Sequence, residues 1–257
     1  MNEQMNMSIS GSSTMPGGEY DKVSISGAGT VKGNLRCTQL HCSGAAKILG
    51  DVSCAEEIRS SGAVRITGSA QCDHLSASGA FHVEASLQVR TRASVSGSVQ
   101  VNAQLTADEI STSGCLQAGS VHCRSFSGSG SCQLTGDLEA ETVSLSGGVE
   151  IDGLLNAESV LLSPNRLVRI GAIGGGQIRI VSKDVSSFFG LFRSNPGCAK
   201  IGSIEGDDVE LELVEAEIVR GRNVRIGKGC KIARVEYSGT LTAEPGTVGS
   251  SVQTGAE

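Results

Sequence analysis

Apolar residues fall at every second position in short runs along this chain, and Ser-Gly pairs cut the runs at a nearly constant spacing. The glycines of these pairs are Gly27, Gly44, Gly62, Gly79, Gly97, Gly114, Gly130 and Gly147, at intervals of 17, 18, 17, 18, 17, 16 and 17 residues. Four residues after each comes an apolar side chain: Val31, Ile48, Ile66, Val83, Val101, Ala118, Leu134 and Ile151. The next column reads Leu35, Val52, Ala70, Leu87, Leu105, Val121, Leu138 and Leu155. Two positions on lie Cys37, Cys54, Cys72, Val89, Ala107, Cys123, Ala140 and Ala157. A second series of small residues lies six positions after the pairs at Gly33, Gly50, Gly68, Ala85, Ala103, Gly136 and Gly153, and five after at Gly119. Alternation with period two is that of a half-buried strand, and self-similarity at a longer fixed period marks a solenoid. The pattern predicts an all-β protein, a single-stranded parallel β-helix with about 17 residues per coil. Val, Leu, Ile and Cys point inward, and glycine eases the corners.

The same pattern sets boundaries. It is regular over residues 21–163. Residues 1–20 and 244–257 are polar, rich in Gly and Ser and without a periodic apolar face, so both are expected to be disordered, flexible tails. Residues 164–198 break the repeat, with Gly174-Gly175-Gly176 read as a turn. Within this irregular segment the stretch 186–197 gathers three of the five phenylalanines. Phe188, Phe189, Leu191 and Phe192 are the candidate assembly or partner contact, with burial against the coil or contact with a membrane surface as the other roles open to them.

Residues 199–243 resume the coil in a looser form. Glu205-Gly206-Asp207-Asp208-Val209-Glu210-Leu211 matches Arg220-Gly221-Arg222-Asn223-Val224-Arg225-Ile226 at a shift of 15. Acid meets base in Glu205 with Arg220, Asp207 with Arg222, and Glu210 with Arg225, and a shift of 14 adds Glu217 with Lys231. On stacked parallel strands these become an ion-pair ladder. That accounts for the basic run up to Arg234 without RNA.

Composition narrows the function. There is no Trp and the core must be thin, built from short aliphatics close to the backbone. A net charge of −6 argues against nucleic acid as a partner. The nine cysteines are odd in number and contain no CxxC, which fits free thiols in a reducing cytoplasm. Four of them share a column with Val and Ala, so packing explains them. Thiols on adjacent coils would lie only ~4.8 Å apart, near enough to draw a metal or oxidise. Soft-metal sites usually want four converging ligands, however, and no metal site or cofactor is expected. Residues 1–19 lack the basic start and apolar run of a secretory signal, and no stretch is long enough for a membrane-spanning helix.

Enzymatic chemistry finds little support. His41, His74, His82 and His122 lie at different phases of the repeat. No carboxylate pair with aromatic platforms, as sugar cleavage needs, stands out. Gly221–Gly229 carries one residue too many for a phosphate-binding loop. The alternative function is a hexapeptide-repeat-like acyltransferase with a β-helix fold. Asn223–Ile232 has that look, yet no histidine follows His122 to serve as a base. The sequence therefore reads as that of a non-enzymatic protein.

The repeats resemble those of the bactofilins, polymer-forming cytoskeletal proteins of bacteria. The resemblance is carried by Gly27-Ala28-Gly29-Thr30-Val31-Lys32-Gly33-Asn34-Leu35, by Leu49-Gly50-Asp51-Val52-Ser53-Cys54-Ala55, and above all by Leu134–Val143 continuing through Gly153 and Ala157. It implies a right-handed β-helix that polymerises with copies of itself, without nucleotide, into filaments. These would scaffold cell shape, motility or envelope machinery, in the cytoplasm and at the inner face of the cell membrane. A paralogous subunit and envelope or motility proteins are the further partners it implies.

Overall fold

The structure, a computed structural model, describes residues 5–181 and 198–255. It is an all-β parallel β-solenoid with about 17 residues per turn. The chain divides into two compact units, Met1–Arg124 and Ser125–Glu257.

In the first unit each coil has three short sides. Ala63–Ile66 leaves the Ser61-Gly62 corner, and Ala70–Ala77 follows after Thr67-Gly68-Ser69. This second strand bends where its register slips, between Cys72 and His74. Two side chains from each side point inward: Val64 and Ile66, Ala70 and Cys72, Leu75 and Ala77, all buried. Parallel pairing stacks like on like, with Ile48, Ile66, Val83 and Val101 in one row. Leu35, Val52, Ala70, Leu87 and Leu105 form the next row. Full burial of such an aliphatic side chain contributes about 1.5–3 kcal/mol.

The Ser-Gly corners show why no other residue type serves there. A Cβ on Gly44 would overlap the carbonyl oxygen of Gly27 on the coil before it. The same collision holds for Gly62 on Gly44, Gly79 on Gly62, Gly97 on Gly79 and Gly114 on Gly97. None of these glycines has a left-handed φ, so close approach of backbones is the cause. Each corner carbonyl in turn accepts from the next coil: Ala63 N–H donates to Gly44 O at 2.9 Å and Ala80 N–H to Gly62 O at 3.0 Å. The second corner has its own device. Asn34 Oδ1 accepts from Asp51 N–H at 2.9 Å, and Asp51 Oδ1 accepts from Ser69 N–H at 2.8 Å. Gly50 and Gly68 lie under those side-chain oxygens, where a Cβ would collide.

The first unit starts earlier than the apolar pattern indicates. Met7–Ile9 pairs with Lys22–Ile25, and Ser12–Glu19 pairs with Ala28–Cys42, so most of the expected N-terminal tail is an ordinary coil. Ser10-Gly11 is one more corner of the series, and buried Met7 and Ile9 occupy the inward positions. The methionines, scattered among Ser and Gly, hid the alternation.

In the second unit the strands Leu138–Leu145, Gly148–Leu162, Val168–Ile180, Ala199–Leu211, Val214–Ile226 and Lys231–Ala243 follow one another in parallel register. The expected irregular segment thus contains a full coil, Val168–Ile180. Gly174-Gly175-Gly176 lies inside that strand and makes no turn. Gly175, Gly206 and Gly221 stand in one row, and a Cβ on Gly206 would come within 2.8 Å of both Gly175 O and Ile178 Cδ1. Glycine here lets the corner tighten, which suits the shift of 15 residues between Ile204 and Val219. Residues 182–197 interrupt the chain between Val168–Ile180 and Ala199–Leu211, which are hydrogen-bonded neighbours. Phe188, Phe189, Leu191 and Phe192 lie outside the described residues.

The expected C-terminal tail is also partly built in. Val248–Gln253 pairs with Lys231–Ala243, although its side chains are mostly exposed. Backbone hydrogen bonds hold this strand, so it leaves no apolar alternation to read.

Gly62→Ala is expected to destabilise the fold by about 2 kcal/mol or more, because backbone must move to admit the methyl group. Gly11→Ala, with nothing within 4 Å of its added Cβ, is expected to change stability by less than about 0.5 kcal/mol. Urea unfolding followed by circular dichroism compares the two, and equal effects would remove the close-approach account of the corners.

Candidate functional site

Three features of the surface and core offer themselves as sites: the coil ends, the charged rows and a column of thiols. Histidine chemistry is not among them. His41 and His74 are exposed and stand beside Arg59 and beside Glu57 and Arg92 respectively. His82 is half-buried, with Nδ1 3.1 Å from Gln100 Oε1. Among the described residues no three His, Cys, Asp or Glu side chains gather as a metal-holding group.

Met7–Ile9 and Ser12–Glu19 pair on one edge only among the described residues, and so does Val248–Gln253. An unpaired strand edge presents a row of N–H and C=O groups to any chain that can add to it. At the C-terminal end inward-facing Leu241 and Val248 are only half-buried, and Val252 is 42% exposed. Among the described residues no layer covers the interior there.

The charged rows run along the outer faces of the coils. In the second unit Arg220 Nε lies 2.8 Å from Glu236 and its Nη1 3.8 Å from Glu205. Glu210 sits between Arg179 at 2.7 Å and Arg225 at 3.7 Å. Asp207 and Arg222 fall at the bend between two register pairs, and their side chains form no ion pair. Their neighbours Asp208, Asn223 and Thr240 bond in a row instead, at 2.8 and 3.0 Å. The shift of 14 expected after Arg220 is replaced by one of 16, so Lys231 stands beside Glu215 and not Glu217. The turn at Gly227–Cys230 takes up the extra residues.

Sequence reasoning missed the matching rows of the first unit. Arg36 meets Glu19 at 3.2 Å, Arg65 meets Glu84 at 3.2 Å, and Arg90 meets Asp73. Arg124 meets Asp108 at 2.8 Å and Glu109 at 2.9 Å. The signal was present as acid and base one coil period apart. The hydrogen bond from Arg124 holds the Asp108 carboxyl below the usual aspartate range, and that from Arg220 does the same for Glu236.

The thiol column is the third feature. Cys37 and Cys54 are direct register partners, and Cys72 follows on the next coil, all buried. Cys54 Sγ donates toward Thr38 O at 3.2 Å and Glu57 O at 3.1 Å. A hydrogen bond between the Cys37 and Cys54 thiols favours ionising Cys54 and holds the proton on Cys37. Burial pushes Cys72 up to about 12, and Cys123 likewise. These last two are packing residues by chemistry as well as position.

Two measurements test the charged rows. Arg124→Ala should raise the Asp108 pKa toward the ordinary aspartate value in an NMR titration. Stability from that pairing is present above the ordinary aspartate range and is lost as pH falls through the depressed value. Glu210→Gln, which releases both Arg179 and Arg225, should cost about 0.2–1 kcal/mol, with the loss shrinking as salt is raised. A salt-independent loss would mean that packing, and not charge, holds this row.

No protein-family model matches the chain, and no solved structure matches it. Two proteins of Bacillus subtilis (strain 168) are similar to parts of it. One carries the name "Uncharacterized protein YhbE" and is 52% identical over 42 residues, 16% of this chain and 18% of that protein. The other, "Uncharacterized protein YhbF", is 41% identical over 73 residues, 28% of this chain and 29% of that protein. The chain thus spans less than a third of the length of either relative. The β-solenoid is consistent with the bactofilin resemblance, and these relatives name no family.

Proposed function

We propose that this protein is a non-enzymatic scaffold whose coils stack end to end on those of other copies, giving filaments that need no nucleotide. The observation that carries the reading is a pair of strand edges, at the start of the first unit and at the end of the second, that have no partner among the described residues. A solenoid that stays monomeric normally covers such edges. The half-exposed inward residues Leu241 and Val248 add an apolar reason for a further coil to sit there. The resemblance to the bactofilins supports the same conclusion. On that resemblance the filament would lie in the cytoplasm or at the inner face of the cell membrane and serve cell shape, motility or envelope machinery. Acyl transfer on a β-helix would call for an imidazole base in the late coils, and the sequence has no histidine after His122.

Sedimentation and negative-stain microscopy of the purified protein at micromolar concentration, without nucleotide or metal, should show filaments. Ser250→Lys together with Val252→Lys should abolish them while leaving the circular dichroism spectrum unchanged, because charge on an edge strand blocks pairing. Protein that stays monomeric across concentration and salt would overturn the proposal. Filaments unaffected by the two lysines would move the contact to the other end.

A further inference from the structure

The thiol column is unlike the rest of the core. Most inward rows mix Val, Leu, Ile and Ala, but Cys37, Cys54 and Cys72 place three sulfurs on consecutive coils. Coils stack at the strand spacing of ~4.8 Å, so neighbouring thiols of one row face each other across a single gap. Cys37 and Cys54 are the pair in strict register. Packing alone does not require sulfur at these positions, since Val89 and Ala107 fill the next two places of the same row.

A second observation concerns access. A groove of about 540 Å³ runs along this side of the first unit, and Tyr20, Arg36, Cys37, Cys54, Cys72 and Arg90 are among the residues that line it. The thiols therefore sit under a groove open to solvent, at the bend of each coil. Arg90 Nη2 donates to Ala55 O at 2.8 Å, which sets its guanidinium beside the residue following Cys54.

We propose that Cys37 and Cys54 form a two-thiolate site for a soft monovalent cation of the copper(I) class. Thiolates select such ions over hard cations. The ligand count decides the class of metal. Zinc takes four converging ligands, and no group of three or more candidate ligands gathers here among the described residues. A d10 monocation is satisfied by two sulfurs on opposite sides, an arrangement that two facing thiols in one row provide. Binding displaces both thiol protons to solvent and leaves copper(I) in its oxidation state. The bis-thiolate complex carries one negative charge, beside an Arg90 guanidinium that is shared with Asp73 and the Ala55 carbonyl. Such a site would bolt two successive coils together from inside the stack.

The test is titration of reduced, full-length protein with copper(I), under anaerobic conditions and in competition with a chromophoric copper(I) chelator. One copper(I) per chain held against the chelator is the expected result, with a rise in thermal unfolding temperature on loading. Cys37→Ala and Cys54→Ala should each weaken binding at least tenfold. Alanine occupies the same row at Ala107, so both variants should fold, and circular dichroism checks this. Cys123→Ala removes a buried thiol of the same row that follows Ala107, and should leave binding unchanged. Wild-type protein that yields all its copper to the chelator would overturn the proposal. So would equal weakening by Cys123→Ala and Cys54→Ala, which would mark scattered thiol binding.

Discussion

Everything in this molecule depends on one distance, the separation of successive coils set by parallel backbone pairing. At ~4.8 Å between strands there is no room at a corner for a side chain that points along the stack. The Ser-Gly glycines Gly27, Gly44, Gly62, Gly79, Gly97, Gly114 and Gly147 meet that limit directly: each would drive a Cβ into the carbonyl of the corner glycine on the coil before. The same carbonyls accept hydrogen bonds from the coil above. Removing the side chain and satisfying the backbone are therefore one event, repeated along the Ser-Gly corners of the first unit.

The same distance organises the outside and the inside alike. Residues one coil apart become neighbours, so acids and bases spaced by one period turn into rows such as Glu19 with Arg36 or Asp73 with Arg90. These exposed pairs contribute little each, and their weight lies in favouring one register over its slips. Inside, repetition puts like on like. Where the like residue is Val or Ile the result is an apolar row, and where it is Cys the result is a line of sulfurs with chemistry of its own.

Repetition also explains why the ends are distinctive. Each interior coil is covered on both sides by copies of its own pattern, so no interior residue has to know where the stack stops. The last strand, Val248–Gln253, has the backbone partners of a coil on one side only. Leu241, inward by phase, is left half-exposed beyond fully covered Val224. An end of this kind differs from a cap in having nothing polar or bulky laid across it among the described residues.

The sequence by itself determined the coil, because inward positions of a solenoid recur at a fixed phase and must be small or apolar. Ile66, Val83 and Leu105 were legible for that reason, as were the facing charges at Glu205 with Arg220 and Glu210 with Arg225. Tertiary structure decided what periodicity does not encode. It placed Val248–Gln253 in the sheet through backbone bonds that have no side-chain signature, and it seated Met7 and Ile9 at inward positions whose alternation the scattered methionines had hidden. It turned Gly174-Gly175-Gly176 from a supposed turn into strand, because tight backbone approach and chain reversal both select glycine. Residue spacing could not say that the bend after Gly227 would shift Lys231 from Glu217 to Glu215, since corner length is set by local packing. The order of thiols was written in the sequence, but only the stacked coils brought Cys37 and Cys54 face to face beneath a groove.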